Sequence, residues 1–254
     1  MFAWRNRSTR LLANHHHIAY LYPMPRSDRI IVPDTPHHVM QRGHNRQAVF
    51  ISDEDYTYYR DNLLLFKQEF GCKVYAYCLM TNHVHLIVDP GPDPESLSKL
   101  MKRVAGRQTR YVNKSEKRSG SIWEGRFKSS IISTHEYLPA CCRYIELNPL
   151  RAGMVDDPAE YRWSSYACKV RDTHDPVVDF PRFYLALGAD FEERRAAYRK
   201  YVLDTIPDNE INLIRKALQR GQITGGNRFR EELSTRLGMR FSNLGPGRPK
   251  VVKN

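Results

Sequence analysis

The segment Cys72–Val88, CKVYAYCLMTNHVHLIV, most constrains the fold. Cys72–Met80 is rich in β-branched and aromatic residues, and a Thr81-Asn82 turn leads into His83–Val88. That is the pattern of a β-hairpin. Side chains alternate across a strand, so Val84, Leu86 and Val88 share one face while His83, His85 and Ile87 share the other. The aliphatic face needs a helical layer, and suitable helices flank the hairpin. Asp53–Phe70 follows a Ser52/Asp53 cap signal and spaces Tyr56, Tyr59, Leu63 and Phe66 helically. Pro94 to about Asn113 sets Leu97, Leu100, Met101 and Val104 along one side. HHVMQRG (His37–Gly43) supplies a first strand, and SIWEGRFKSSIIS (Ser121–Ser133), bent at Gly125, a fourth. A short helix from about His135 to Asn148 stops at Pro149, because the residue before a proline disfavours helical geometry. The order β-α-β-β-α-β predicts an α+β, ferredoxin-like fold with an antiparallel sheet. Two helices cover one face of that sheet, and the other is free to hold a site.

Three regions follow from the texture of the chain. Residues 1–23, with arginines and the His15-His16-His17 run, read as a flexible extension. Residues 24–175 form the main domain, and 176–254 a helical region with Phe191–Leu203, Asn209–Arg220 and a basic GPGRPK tail. Lys and Arg number 40 against 28 Asp and Glu, a formal charge of +12. Such an excess points to an anionic partner, nucleic acid first and acidic membrane second. No apolar run approaches the ~20 residues that cross a bilayer, so membrane-spanning function is not expected. No signal peptide is expected either. The 5 cysteines are odd in number and lack a C-x-x-C pair. That argues against a disulfide framework or a zinc finger, and for a reducing cytoplasm.

Two imidazoles on one strand face fit two readings, surface histidines on a half-exposed strand or ligands converging on one ion. RYIELNPLRAG (Arg143–Gly153) adds Tyr144 and Asn148, which are four apart and share a helical face. An Asn oxygen beside two imidazoles makes a mixed donor set suited to Mn²⁺ or Mg²⁺, with positions open for a phosphate oxygen. On spacing alone, Asn148 serves equally as a helix-ending residue, and Tyr144 as one core tyrosine among 15. Lys99, Lys102, Arg103, Arg107 and Arg110 line the polar face of the second helix. With Arg126 and Lys128 beside Trp123, they offer phosphate contacts and an aromatic for base stacking. The plainer reading of these charges is a solvated surface. In the tail, Gly247-Arg248-Pro249 fits a minor-groove hook or a basic tail equally.

Together, Asn82-His83-Val84-His85-Leu86, Trp123-Glu124-Gly125-Arg126-Phe127-Lys128 and Tyr144-Ile145-Glu146-Leu147-Asn148-Pro149-Leu150-Arg151-Ala152-Gly153 resemble the REP-associated tyrosine transposases. These are bacterial single-tyrosine members of the HUH nuclease superfamily. Met24-Pro25-Arg26, Pro36-His37-His38-Val39 and Gln41-Arg42-Gly43 are similar to that family's first strand. The likeness covers about residues 24–170 and continues weakly through Gly226-Asn227-Arg228-Phe229 to the tail. It implies a cytoplasmic, nucleoid-associated enzyme that cuts and rejoins single-stranded or hairpin DNA at palindromic repeats. His83 and His85 would be metal ligands and Tyr144 the nucleophile that forms a 5′-phosphotyrosine link. Asn148 stands where relatives place a polar third ligand, often Gln or Glu. Arg42 joins the implied DNA contacts, and His38 matches a family position without a known mechanism. The resemblance leaves monomer or dimer open. One competing reading is a domesticated protein that holds palindromes without cutting them. Another is a metal-dependent hydrolase, which lacks enough further ligands.

Overall fold

The computed structural model describes residues 29–205 and 207–238. The extension 1–23, Met24-Pro25-Arg26, Arg248 and the basic tail lie outside the described residues. The first six elements are β1 (His37–Arg42), α1 (Asp53–Glu69), β2 (Lys73–Met80), β3 (His83–Asp89), α2 (Glu95–Ser115) and β4 (Lys128–Ile131). The sheet order is β2-β3-β1-β4, with every neighbouring pair antiparallel. β1 and β2 are therefore parallel across β3, and β3 and β4 parallel across β1. Two interleaved split βαβ units of this kind make the expected ferredoxin-like α+β fold. α1 starts where the Asp55 carboxylate accepts the backbone N–H groups of Ile51 (2.6 Å) and Ser52 (3.0 Å).

Register sets what each face carries. Val39 lies opposite Leu86, Tyr77 also opposite Leu86, and Leu79 opposite Val84. These side chains are fully or almost fully buried in one core with Leu63 and Phe66 of α1 and Leu97, Leu100 and Val104 of α2. Burying each contributes about 1.5–3 kcal/mol.

Three expectations need correction. The fourth strand is short: Trp123 forms only an isolated bridge with Gly43, just past the end of β1, and its indole turns into the core. The following helix is α3 (Leu138–Glu146), and Pro149 does not end it. Pro149 instead opens the next turn, α4 (Asn148–Arg151), where a missing N–H costs nothing. The second sheet face is not free. α3 lies across β2 and β3 on that side, and α8 (below) against β4 and β1.

The remaining helices are α5 (Tyr166–Val170), α6 (Arg182–Leu185), α7 (Phe191–Leu203), α8 (Asp208–Arg220) and α9 (Asn227–Leu237). Contacts cross the boundary expected at 175/176 at several points. Asp179 accepts hydrogen bonds from Lys67 Nζ and the Val74 N–H, both at 2.7 Å. Thr224 extends β4, donating its N–H to Ile131 and accepting that of Ser133. α3 is clamped from both sides of that boundary. Arg143 pairs with Glu210 at 2.6 Å, and Glu146 pairs with Lys169 at 2.8 Å. Glu146 also accepts from Ser165 and Tyr198, each at 2.6 Å, and both charges of its ion pair are 0% exposed. All five cysteines are free and buried, and no helix among the described residues is long and apolar enough to cross a membrane.

Removing one partner of a buried pair strands the other charge. Lys169→Met is expected to lower unfolding free energy by about 3–5 kcal/mol in urea denaturation, and Glu146→Leu with Lys169→Met to recover most of that loss. His37 generates a pH prediction. Its Nδ1 donates to the Thr35 carbonyl (2.8 Å) and its Nε2 accepts the Val32 N–H (3.2 Å), which requires the neutral ring. Burial lowers its pKa from 6.5 to about 4, against a smaller opposite pull from the Thr35 carbonyl. The unfolded chain therefore takes up a proton that the folded one refuses. Stability should fall as pH drops from 6.5 toward 4, by up to about 1.4 kcal/mol per pH unit for this group. In His37→Gln the measured slope should be shallower by that amount.

Candidate active site

β3 delivers His83 and His85 to the face beneath α3, where Met40 and Cys78 flank His85 and Arg42 and Met80 flank His83. The two imidazole centroids are 5.1 Å apart at 84°. α3 lowers Tyr144 onto the same spot, with its ring edge-on to His85 at 6.0 Å and to His38 at 5.7 Å. The fold thus brings three of the expected residues together from two elements 59 positions apart in the chain at their closest, from His85 to Tyr144.

Each histidine has one nitrogen engaged. His83 Nδ1 meets Asn82 Oδ1 at 2.6 Å, and His85 Nδ1 meets His38 Nε2 at 2.9 Å. Among the described residues neither Nε2 has a hydrogen-bond partner. Burial pushes His83 down to about 4, helped by the Arg42 charge, and pushes His38 down to about 3. Burial also holds His85 well below its ordinary value, with His38, His83 and Arg151 adding to the effect. All three rings are therefore neutral at pH 7, the form that donates a lone pair to a metal.

Asn148 has other partners. Its amide donates to the Ile145 carbonyl (3.1 Å) and its Oδ1 accepts from Arg151 (3.2 Å). Arg151 also donates to the Tyr144 carbonyl and lies 4.6 Å over the Tyr144 ring. Among the described residues no group of three or more His, Cys, Asp or Glu could hold a metal. The donors that fit an ion are the two imidazoles, while the Asn148 side chain is engaged with Ile145 and Arg151. So sparse a set leaves most positions to water and phosphate oxygens, as hard divalent cations at phosphate sites prefer.

Beside His83 lies a hollow of about 310 Å³ lined by Arg29, Arg42, Arg126 and Lys128, with Met40 and Phe127. Arg42 is held by Glu124 through bonds of 2.8 and 3.1 Å. Arg29 donates to the Phe127 carbonyl at 3.0 Å and stacks 3.8 Å over the Phe127 ring. Arg29 also lines a second hollow with Lys99 and Lys102, at the N-terminal end of α2. The remaining α2 cations lie elsewhere. Arg103 is 3.9 Å from Glu69, Arg107 donates to Asn62 at 3.0 Å, and Arg110 is exposed. Lys99 is paired with Asp93 and Glu95, each at 3.1 Å.

Sequence reasoning missed Arg29, His38 as a partner of His85, and Arg151. His38 had a usable signal, since it shares a strand face with Met40, the residue opposite His85. Arg29 precedes β1 in a segment without periodicity, and only the tertiary fold places it.

The base-stacking role expected of Trp123 is corrected. Its side chain is 6% exposed, and its Nε1 donates to the Ala105 carbonyl at 3.1 Å. A base cannot stack on an indole packed in the core. Trp123→Ala is accordingly expected to lower stability by about 3–5 kcal/mol in chemical denaturation.

Residues 32–148 match the family model described as IS200-like transposase. Among solved structures, a REP-associated tyrosine transposase bound to a REP hairpin superposes with a TM-score of 0.51 at 18% identity. That match covers 61% of this chain and 92% of the other. A Deinococcus radiodurans R1 protein described as a candidate transposase gives a TM-score of 0.33 at 20% identity, over 45% of this chain and 90% of that one. No curated protein matches the chain. The matched family segment runs from just before β1 to Asn148 and so contains both the histidine strand and the tyrosine helix. The likeness to the IS200-like transposases thus spans residues 32–148, just under half of the chain.

Proposed function

We propose that the protein is a DNA transposase that cuts and rejoins single-stranded or hairpin DNA through Tyr144, using Mg²⁺ or Mn²⁺ held by His83 and His85. The carrying observation is the convergence of Tyr144 with His85 at 6.0 Å, beside a basic hollow, within a single chain. Once bound, a divalent cation supplies Lewis-acid polarisation of the scissile phosphate. Asn82 keeps the His83 ring oriented. Asn148, whose Oδ1 accepts from Arg151, would be the third donor. Arg29, Arg42, Arg126 and Lys128 hold phosphates along the strand entering the site, with Lys99 and Lys102 beyond them.

In the cutting step, the Tyr144 oxygen bonds to phosphorus as the P–O3′ bond breaks. The phenol loses its proton and the departing 3′-oxygen gains one, leaving a 5′-phosphotyrosine and a 3′-hydroxyl. Attack by a 3′-hydroxyl on that link reverses the step, so joining needs no nucleotide cofactor.

The test uses end-labelled hairpin oligonucleotides with Mn²⁺ on a denaturing gel. A labelled protein band is expected, absent with EDTA and absent in Tyr144→Phe. Native-gel retardation without any covalent band, across metals and palindromes, would replace this reading with a non-cutting palindrome binder. Arg126→Ala and Lys128→Ala should each weaken hairpin binding and reduce its log–log salt slope by about 1.

A further inference from the structure

We propose that His38 selects the tautomer of His85 and thereby sets the affinity of the site for a divalent cation. This rests on the reading that His83 and His85 hold that cation. His38 belongs to β1, two residues before Met40, which lies opposite His85. His38 is therefore the diagonal neighbour of His85 on one face, within reach across the pair. Its Nε2 is 2.9 Å from His85 Nδ1.

Two neutral imidazoles share a single proton in this bond, in one of two ways. With the proton on His38, His85 carries its own proton on Nε2 and has no lone pair there to coordinate. With the proton on His85 Nδ1, the His85 Nε2 lone pair is free and His38 carries its other proton on Nδ1. The far side of His38 does not decide between them. The ring is 0% exposed and its Nδ1 has no hydrogen-bond partner.

His83 differs. Its Nδ1 faces Asn82 Oδ1, and the Asn82 amide nitrogen donates to the Arg46 carbonyl at 3.0 Å, which fixes the acceptor end toward the histidine. His83 thus always presents a lone pair at Nε2. It is the standing donor, and His85 donates only when His38 accepts. Outer partners that orient a ligating histidine change metal affinity by about 10–100-fold.

The experiment measures Mn²⁺ binding by electron paramagnetic resonance to wild type, His38→Leu and His38→Gln, with thermal melting and hairpin binding alongside. His38→Leu removes the acceptor, and its Mn²⁺ affinity should fall about 10–100-fold. His38→Gln restores a carbonyl acceptor and should return most of that loss. Leu binding Mn²⁺ as tightly as wild type, or Gln no better than Leu, overturns the inference while leaving the cation reading intact. No Mn²⁺ uptake by folded wild type overturns both. Should the Leu variant fail to fold, ¹⁵N spectra of wild type saturated with Mg²⁺ decide. A proton on His85 Nδ1 supports the inference, and one on Nε2 overturns it.

Discussion

The pairing register of β1 with β3 is the constraint on which the rest of this structure depends. Because side chains alternate, a slip of one residue would turn His83 and His85 toward α1 and α2 and push Val84, Leu86 and Val88 out of their core. Those three side chains and Val39 are 0% exposed. Turning out the three β3 side chains makes such a slip cost roughly 5–9 kcal/mol. Hydrophobic burial on one face therefore holds polar chemistry in place on the other. The same register aligns His38 with His85 and Arg42 with His83, so one strand pair defines both the histidine cluster and the entrance to the basic hollow.

Tyr144 depends on a different support. α3 is nine residues long, too short to persist alone, and is fixed by its flanking charges. Arg143 reaches Glu210 and the Tyr201 ring, while Glu146 reaches Lys169, Ser165 and Tyr198. Ser165 in turn binds both backbone groups of Tyr77 in β2. The helices beyond residue 148, outside the segment that matches the family model, thus tie the tyrosine helix to the sheet.

Much of this was legible in the sequence. α1, the hairpin, α2, α7 and α8 announce themselves by periodicity and caps, and the expected boundaries lie close to the observed ones. Expectations failed where long-range contacts overrode local pattern. The strand formers at 121–127 do not extend β4, because Trp123 finds an acceptor on α2. The second sheet face was expected to be open, since a helix of α3's length gives no sign of where it docks. The histidine pair and Tyr144 were visible as residue types, but their meeting is a tertiary fact. The α2 cations show the limit of charge counting. Several are bound to their own acids or amides, whereas Arg29, invisible in the sequence, stands at the mouth of the hollow.

The burial of all five cysteines has a practical consequence. Burial pushes Cys72, Cys142 and Cys168 up to about 12, and raises Cys78 and Cys141 as well. At neutral pH almost none of these sulfurs is thiolate, the form that alkylating reagents and peroxides attack. The folded protein is therefore expected to react slowly with maleimides. A single cysteine introduced on the surface of α9 or along the rim of the hollow would be the one reactive thiol among the described residues. The native sequence thus already provides the background needed for site-specific fluorophore or spin labelling, without first removing its own sulfurs.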